Sequence, residues 1–408
     1  MGRAWLGLGL VGLLGLGCHR GPSSAPVPPV KVSAASSPPG GSVSSPTHLG
    51  PKAPPLVPLA VCAAKGRTPL NAARDDYDAG EYEAALSCAA QASALDPDEP
   101  QAHSERGAAL SALGRFDEAK LAYARALALD PDHLDALLGA AHLYGVSLPS
   151  TREHDELAVL YSERGRKASL EHKDLKSDAQ FALLSAMGFN DLGEPTLALD
   201  RAQESLKGEP KNTDASYERA VALFELCRFR DAKAAFERLL PDPEHQAHAH
   251  QHLGLLLERE GKLKQADLHF AQARALSAED FPEPQLLSVT AFKGAVAKAV
   301  RDLPSDMQKD LAGIPVTAEE LPKDEDLLSG DPPLSPTILG LFRGPPLSEP
   351  CTEEAGAPCR SVALYRRNLA RAVTSPEELL EQIRVTLLHE VGHLRGEDDL
   401  ELAARGLE

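Results

Sequence analysis

Residues 386–399 read Thr-Leu-Leu-His-Glu-Val-Gly-His-Leu-Arg-Gly-Glu-Asp-Asp, with His389 and His393 four positions apart. On an α-helix that spacing sets two imidazoles on one face, one turn from each other, where both can ligate a single Zn²⁺. Glu390 follows the first histidine, a position from which a carboxylate can take a proton from water in metal-assisted hydrolysis. Catalytic zinc sites use three protein ligands and keep a fourth position open. Asp399, six residues past His393, is best placed as the third ligand and gives the pattern HExxHxxGxxD. Glu397 and Glu401 are the alternatives, in which case Asp399 is one solvated acid among several.

A helix must hold these groups, and its signals are local. Ser375, Pro376 and Glu378 provide an N-cap, a proline at the first helical position and the acid of a capping box. Leu379, Ile383, Leu387, Leu388, Val391 and Leu394 follow at helical spacing, and Gly396 suits a left-handed stop. The predicted helix spans 376–395. Because the chain turns at Gly396, an acid shortly after it can come back toward the histidines.

The segment from about Phe292 onward resembles the small minimal zincins of the bacterial zincin-like metallopeptidase type. The likeness is carried by Leu303-Pro304, Gly313-Ile314-Pro315-Val316, Leu339-Gly340-Leu341-Phe342 with Gly344, and Leu364-Tyr365-Arg366-Arg367-Asn368-Leu369 ahead of the HExxH helix. The resemblance implies Zn²⁺ on His389, His393 and Asp399, Glu390 as the catalytic base, and a compact α+β domain with a short sheet beside the metal helix. Arg395 stands where the family often has a bulky apolar residue, and no Met follows Met307, so a Met-turn is missing. Cys351 and Cys359 could close a disulfide in an exported protein or remain as two thiols.

The middle of the chain repeats with a period of 34. Gly80 and Gly114 fall on it, as do Gly193, Cys227 and Gly261 after an interruption, and Pro97, Pro131 and Pro210 follow their glycines by 17 residues. Ala85, Ala119, Ala198, Ala232 and Ala266 coincide, and so do Gly107 and Gly254. This resembles the tetratricopeptide (TPR) repeat, whose small residues let antiparallel helices pack closely and whose stacks present a concave groove for a peptide or protein partner. Pro149 breaks the third unit where its turn should be, so an irregular hairpin is expected there. His245, His248, His250 and His252 read as solvated helix-surface residues, with a second metal site as the other possibility. Cys62 and Cys88 could pair across the first hairpin.

At the other end, Arg3 precedes an apolar run from Ala4 to Gly17, too short to span a bilayer permanently and ending at Cys18. This resembles the signal peptide and lipobox of bacterial lipoproteins, with Cys18 as the lipidated residue. It implies a cell-envelope protein on a lipid anchor, outer-membrane or periplasm-facing, with simple secretion as the alternative. From His19 to Ala60 the chain has eleven prolines and no acidic residue, the composition of an extended spacer.

Taken together, 408 residues are expected to divide into a signal peptide (1–18), a disordered Pro-rich linker (19–62), a TPR α-solenoid of about six hairpins (63–283) and a small α+β zincin-like domain (284–408). The fold class is mostly α. Forty-two Lys and Arg against 60 Asp and Glu give a net charge of -18, which disfavours nucleic acid as a partner. Two functions are consistent with this: an envelope zinc metallohydrolase of the peptidase kind that recruits protein through its TPR module, or a TPR binding scaffold whose zincin-like domain is structural or inactive.

Overall fold

In the computed structural model residues 61–352 and 358–407 are described; Cys18 and the signal and linker segments lie outside them. Six helical hairpins come first. They are α1 (Pro69–Asp78) with α2 (Tyr82–Leu95), α3 (Pro100–Ala112) with α4 (Phe116–Leu129), and α5 (Leu134–His142) with α6 (Arg152–His172). Then follow α7 (Leu175–Asp191) with α8 (Pro195–Gly208), α9 (Thr213–Glu225) with α10 (Phe229–Leu239), and α11 (Gln246–Arg259) with α12 (Leu263–Leu276).

The period has a direct structural cause. Gly80, Gly114, Gly193 and Gly261 occupy the turns inside four of the hairpins with φ between +72° and +79°, a backbone state open to glycine. Cys227 takes the same left-handed conformation at φ +55°. The repeated alanines are buried, and the shared glycines admit a ring: a Cβ on Gly107 would lie 2.7 Å from Tyr123, and one on Gly254 2.5 Å from Phe270. The first helices α1, α3, α5, α7 and α9 pack each on the next, so they form the wall toward which the stack closes. In the interrupted unit α5 runs into a π-turn at Leu143–Ser147, and α6 restarts only after Pro149, beginning from Thr151 as its N-cap.

Three of the four clustered histidines depart from the sequence expectation. His245 is 5% exposed and lies 2.9 Å from Asp214 through Nε2, with its ring stacked on Tyr217 at 4.8 Å. His252 stacks on Phe236 at 4.4 Å, and His248 packs edge-on to Phe281. His245 is buried and His248 and His252 are half-buried packing residues, because α9 and α10 supply aromatic neighbours from other helices.

The C-terminal part begins with α13 (Val289–Asp302) and α14 (Ser305–Asp310). After these come β1 (Val316–Glu319), α15 (Asp324–Leu327), β2 (Gly340–Arg343), β3 (Ser361–Tyr365), α16 (Arg366–Arg371), α17 (Pro376–Arg395) and α18 (Asp399–Ala403). The sheet order is β1-β3-β2, with β1 parallel to β3 (Val316 beside Val362) and β2 antiparallel to it (Gly340 beside Leu364). All five residues of β3 are buried, as expected of a central strand covered on both faces. One core joins Phe292 and Val296 of α13 to Val362 and Leu364 of β3 and to Leu379, Ile383, Leu387 and Val391 of α17. Cys62 is paired with Cys88, and Cys351 with Cys359.

Candidate metal centre

Helix α17 starts and stops where its caps dictate. The Ser375 hydroxyl accepts from Glu378 N–H, the Glu378 carboxylate reaches back to Ser375 N–H, and Gly396 ends the helix at φ +94°. Its inner face is the row Leu379, Ile383, Leu387 and Val391, fully sunk in the core. His389 and His393 stand beside that row, about one-sixth exposed at their side chains. Arg395 pins the end of the helix to α14, donating to Asp310 at 2.7 Å and Asp306 at 2.7 Å. A polar anchor thus occupies the place where an apolar contact was expected.

The chain turns at Gly396 and starts α18 immediately. Asp398 is its N-cap, accepting from Glu401 N–H at 2.9 Å while the Glu401 carboxylate accepts from Asp398 N–H at 3.0 Å. This reciprocal box fixes Asp399 at the first turn of α18, aimed at α17. The Asp399 Oδ1 lies 3.4 Å from His389 Nε2 and 3.2 Å from His393 Nε2, and the two Nε2 atoms are 2.9 Å apart. Glu397 is engaged with Arg405 and Glu401 with the cap, so among the three acids left open by the sequence it is Asp399 that meets the histidines.

A tetrahedral ion with bonds of about 2.0–2.1 Å separates its ligand atoms by about 3.3 Å. The observed edges of 2.9, 3.2 and 3.4 Å fit that geometry. The second nitrogens fit it too. His389 Nδ1 lies 2.7 Å from the Leu407 carbonyl and His393 Nδ1 lies 3.0 Å from the Glu397 carbonyl. A carbonyl only accepts, so Nδ1 carries the donated hydrogen on each ring and Nε2 is turned to the ligand position.

Electrostatics bind the group together. Burial opposes charge on both imidazoles, but the hydrogen bonds to Asp399 and the nearby Glu390 outweigh it and raise both above the usual histidine range. Burial likewise works against the Asp399 anion, yet His389 and His393 hold it well below the ordinary carboxylate range. Glu390 is 5% exposed, and burial raises its carboxyl against the pull of the two histidines. Its Oε2 accepts the Phe342 N–H of edge strand β2 at 2.6 Å. Gly340 closes over the same side chain: a Cβ there would come within 2.8 Å of Oε1.

Sequence reasoning named His389, Glu390, His393 and Asp399, which the structure brings together, but not the contacts that Leu407, Phe342 and Gly340 make with them. The Asp398-x-x-Glu401 box was readable as a helix start; the Leu407 and Phe342 contacts come from backbone atoms 18 and 48 residues from their partners and leave no motif.

Comparison with known proteins finds each of the two parts. Residues 311–407 match the family model described as zincin-like metallopeptidase, and residues 100–133 match the tetratricopeptide repeat model. The chain joins a TPR array to a zincin-like domain. No curated protein matches it. Similar solved structures include YrrB, described as a TPR protein with an unusual peptide-binding site (18% identity, 47% of this chain and 93% of that one, TM-score 0.39). PilW, described as a widely conserved type IV pilus biogenesis factor, matches at 18% identity over 52% of this chain and 94% of its own, TM-score 0.44. PilF of Pseudomonas aeruginosa matches at 16% identity over 55% and 95%, TM-score 0.43.

Proposed function

We propose that this protein is an envelope-anchored zinc metallohydrolase, acting as a peptidase, with Cys18 as its lipid attachment point and the TPR array recruiting a protein substrate. The observation that carries the reading is the convergence of His389 Nε2, His393 Nε2 and Asp399 Oδ1 at tetrahedral edge distances, with Glu390 on the same helix turn. When bound there, zinc would supply Lewis acidity to a polarised carbonyl and to water. The chain's own residues do the rest. Phe342 N–H holds Glu390 Oε2, which leaves Oε1 as the atom that accepts a proton from the attacking water and returns it to the leaving amine. The raised carboxyl of Glu390 suits that double duty, since a base that must later act as an acid works best with its pKa moved toward neutrality.

Glu390→Gln keeps the shape and the metal ligands and removes the proton acceptor. Peptide hydrolysis by the zinc-loaded variant should fall about 10²- to 10⁴-fold with zinc content unchanged. Undiminished turnover would remove Glu390 as the base. The second reading is a TPR scaffold whose metal only stabilises the zincin-like domain, and the near-complete burial of Glu390 favours it. It predicts zinc-dependent melting, no cleavage of any peptide in a diverse library, and partner capture that survives His389→Ala.

A further inference from the structure

The first helices of the hairpins end at the turns of the stack, and at the last two of these turns, after α9 and after α11, the chain meets the C-terminal part. On α11, Glu258 is 5% exposed, and its Oε1 lies 2.6 Å from Arg367 Nη1 and 2.6 Å from Arg371 Nη2. Both arginines belong to α16, the short helix between central strand β3 and metal helix α17. The Arg371 guanidinium also lies over the Phe270 ring of α12 at 4.8 Å. Next to Glu258, Arg259 donates to Asp324 of α15 at 2.5 Å and covers the Phe229 ring at 4.7 Å.

At the turn after α9, the Cys227 thiol faces the Leu334 carbonyl at 3.7 Å. Cys227 and Phe229 pack with Leu327, Ile338 and Tyr365 in one apolar cluster shared by the two parts. The contact therefore has both components of a permanent interface: an apolar seam, and a desolvated carboxylate whose partners all come from the other side. It also accounts for a cysteine where the other repeats have glycine, because this turn alone has a side chain that is covered from outside the stack.

We infer that the turn ends of the last two hairpins are the docking surface for this chain's own zincin-like domain, with Glu258 gripped by Arg367 and Arg371 as the fastening. The TPR array is then a fixed arm of the metal domain. An external protein partner is left the faces of the first helices away from that joint, and a segment held there sits at a set distance from the metal site. This goes beyond the hydrolase reading and does not depend on metal or turnover.

Cys227 is the unpaired cysteine among the described residues and reports on the joint. In the full chain carrying Cys18→Ser, reaction of Cys227 with a thiol reagent should be at least tenfold slower than in the same protein in denaturant after correction for reagent rate. Glu258→Gln should accelerate it at least tenfold, with the circular dichroism of the helices unchanged. Asp324→Asn, which alters an exposed side chain and neither core, should accelerate it about threefold and decides the matter if Glu258→Gln does not fold. Wild-type labelling at the rate of a free thiol, or folded variants as protected as wild type, would overturn the inference. Peptide cleavage measured in parallel separates this outcome from failure of the hydrolase reading.

Discussion

Deleting residues 406–408 tests how the proposed metal ligands are oriented. The Leu407 carbonyl accepts from His389 Nδ1 at 2.7 Å, and the Leu407 side chain is 8% exposed in the main core of the domain. The deletion therefore removes two things. Loss of a hydrogen-bond partner behind a ligand typically weakens metal binding about 10- to 100-fold, equal to about 1.4–2.7 kcal/mol. Loss of a buried leucine side chain costs about 1.5–3 kcal/mol of folding stability. Leu407→Ala separates them, because it keeps the carbonyl: it should lower the melting temperature and leave the zinc dissociation constant within about threefold of wild type. The assay is a competition titration with a chromophoric chelator on folded protein, beside thermal melts without added metal. A deletion variant that binds zinc as tightly as the full chain would refute the orienting role of Leu407.

Further outcomes follow from other contacts. Gly340→Ala would place a Cβ 2.8 Å from Glu390 Oε1 and 2.7 Å from Thr386 Cγ2. The Glu390 carboxylate must shift, so on the proposed hydrolase reading kcat/KM for peptide cleavage should drop at least about tenfold with zinc affinity preserved, and unaltered kinetics would contradict the role proposed for Glu390. Burial of His252 against Phe236 pushes its pKa down to about 4 from the ordinary 6.5. The unfolded chain then takes a proton at a pH where the folded one does not, and stability is lost as pH falls from 6.5 to 4, by about 2 kcal/mol at pH 5. Buried Glu218 and Glu225, raised to about 8 and about 7, slope the opposite way, so the readout is the stability difference between wild type and His252→Phe across pH. A difference independent of pH between 7 and 5 would contradict the burial.

The parts of this molecule that were legible in the sequence are those fixed by near neighbours. Ser375, Pro376, Glu378 and Gly396 bound α17 at the predicted residues because capping is decided within a few positions. The 34-residue period shows through because five of the six hairpins have the same turn conformation and the same small contacts. What was hidden arises from long-range packing. The parallel pairing of β1 with β3 joins Val316 to Val362, and strands of four and five residues carry too little alternation to announce it. His245 and His252 looked exposed because their neighbours, Tyr217 and Phe236, arrive from other helices. Glu258 carries no sequence signal of its role, since nothing nearby indicates that two arginines more than 100 residues away meet its carboxylate.

X-ray absorption at the zinc edge, on the full chain loaded with one equivalent, tests the central assignment most directly. The account predicts one tightly bound zinc per chain whose shell contains two imidazole nitrogens and a carboxylate oxygen, with one imidazole missing in His393→Ala and binding sharply weakened in Asp399→Ala. Sulfur in the shell, or a shell and affinity unchanged by both substitutions, would contradict it.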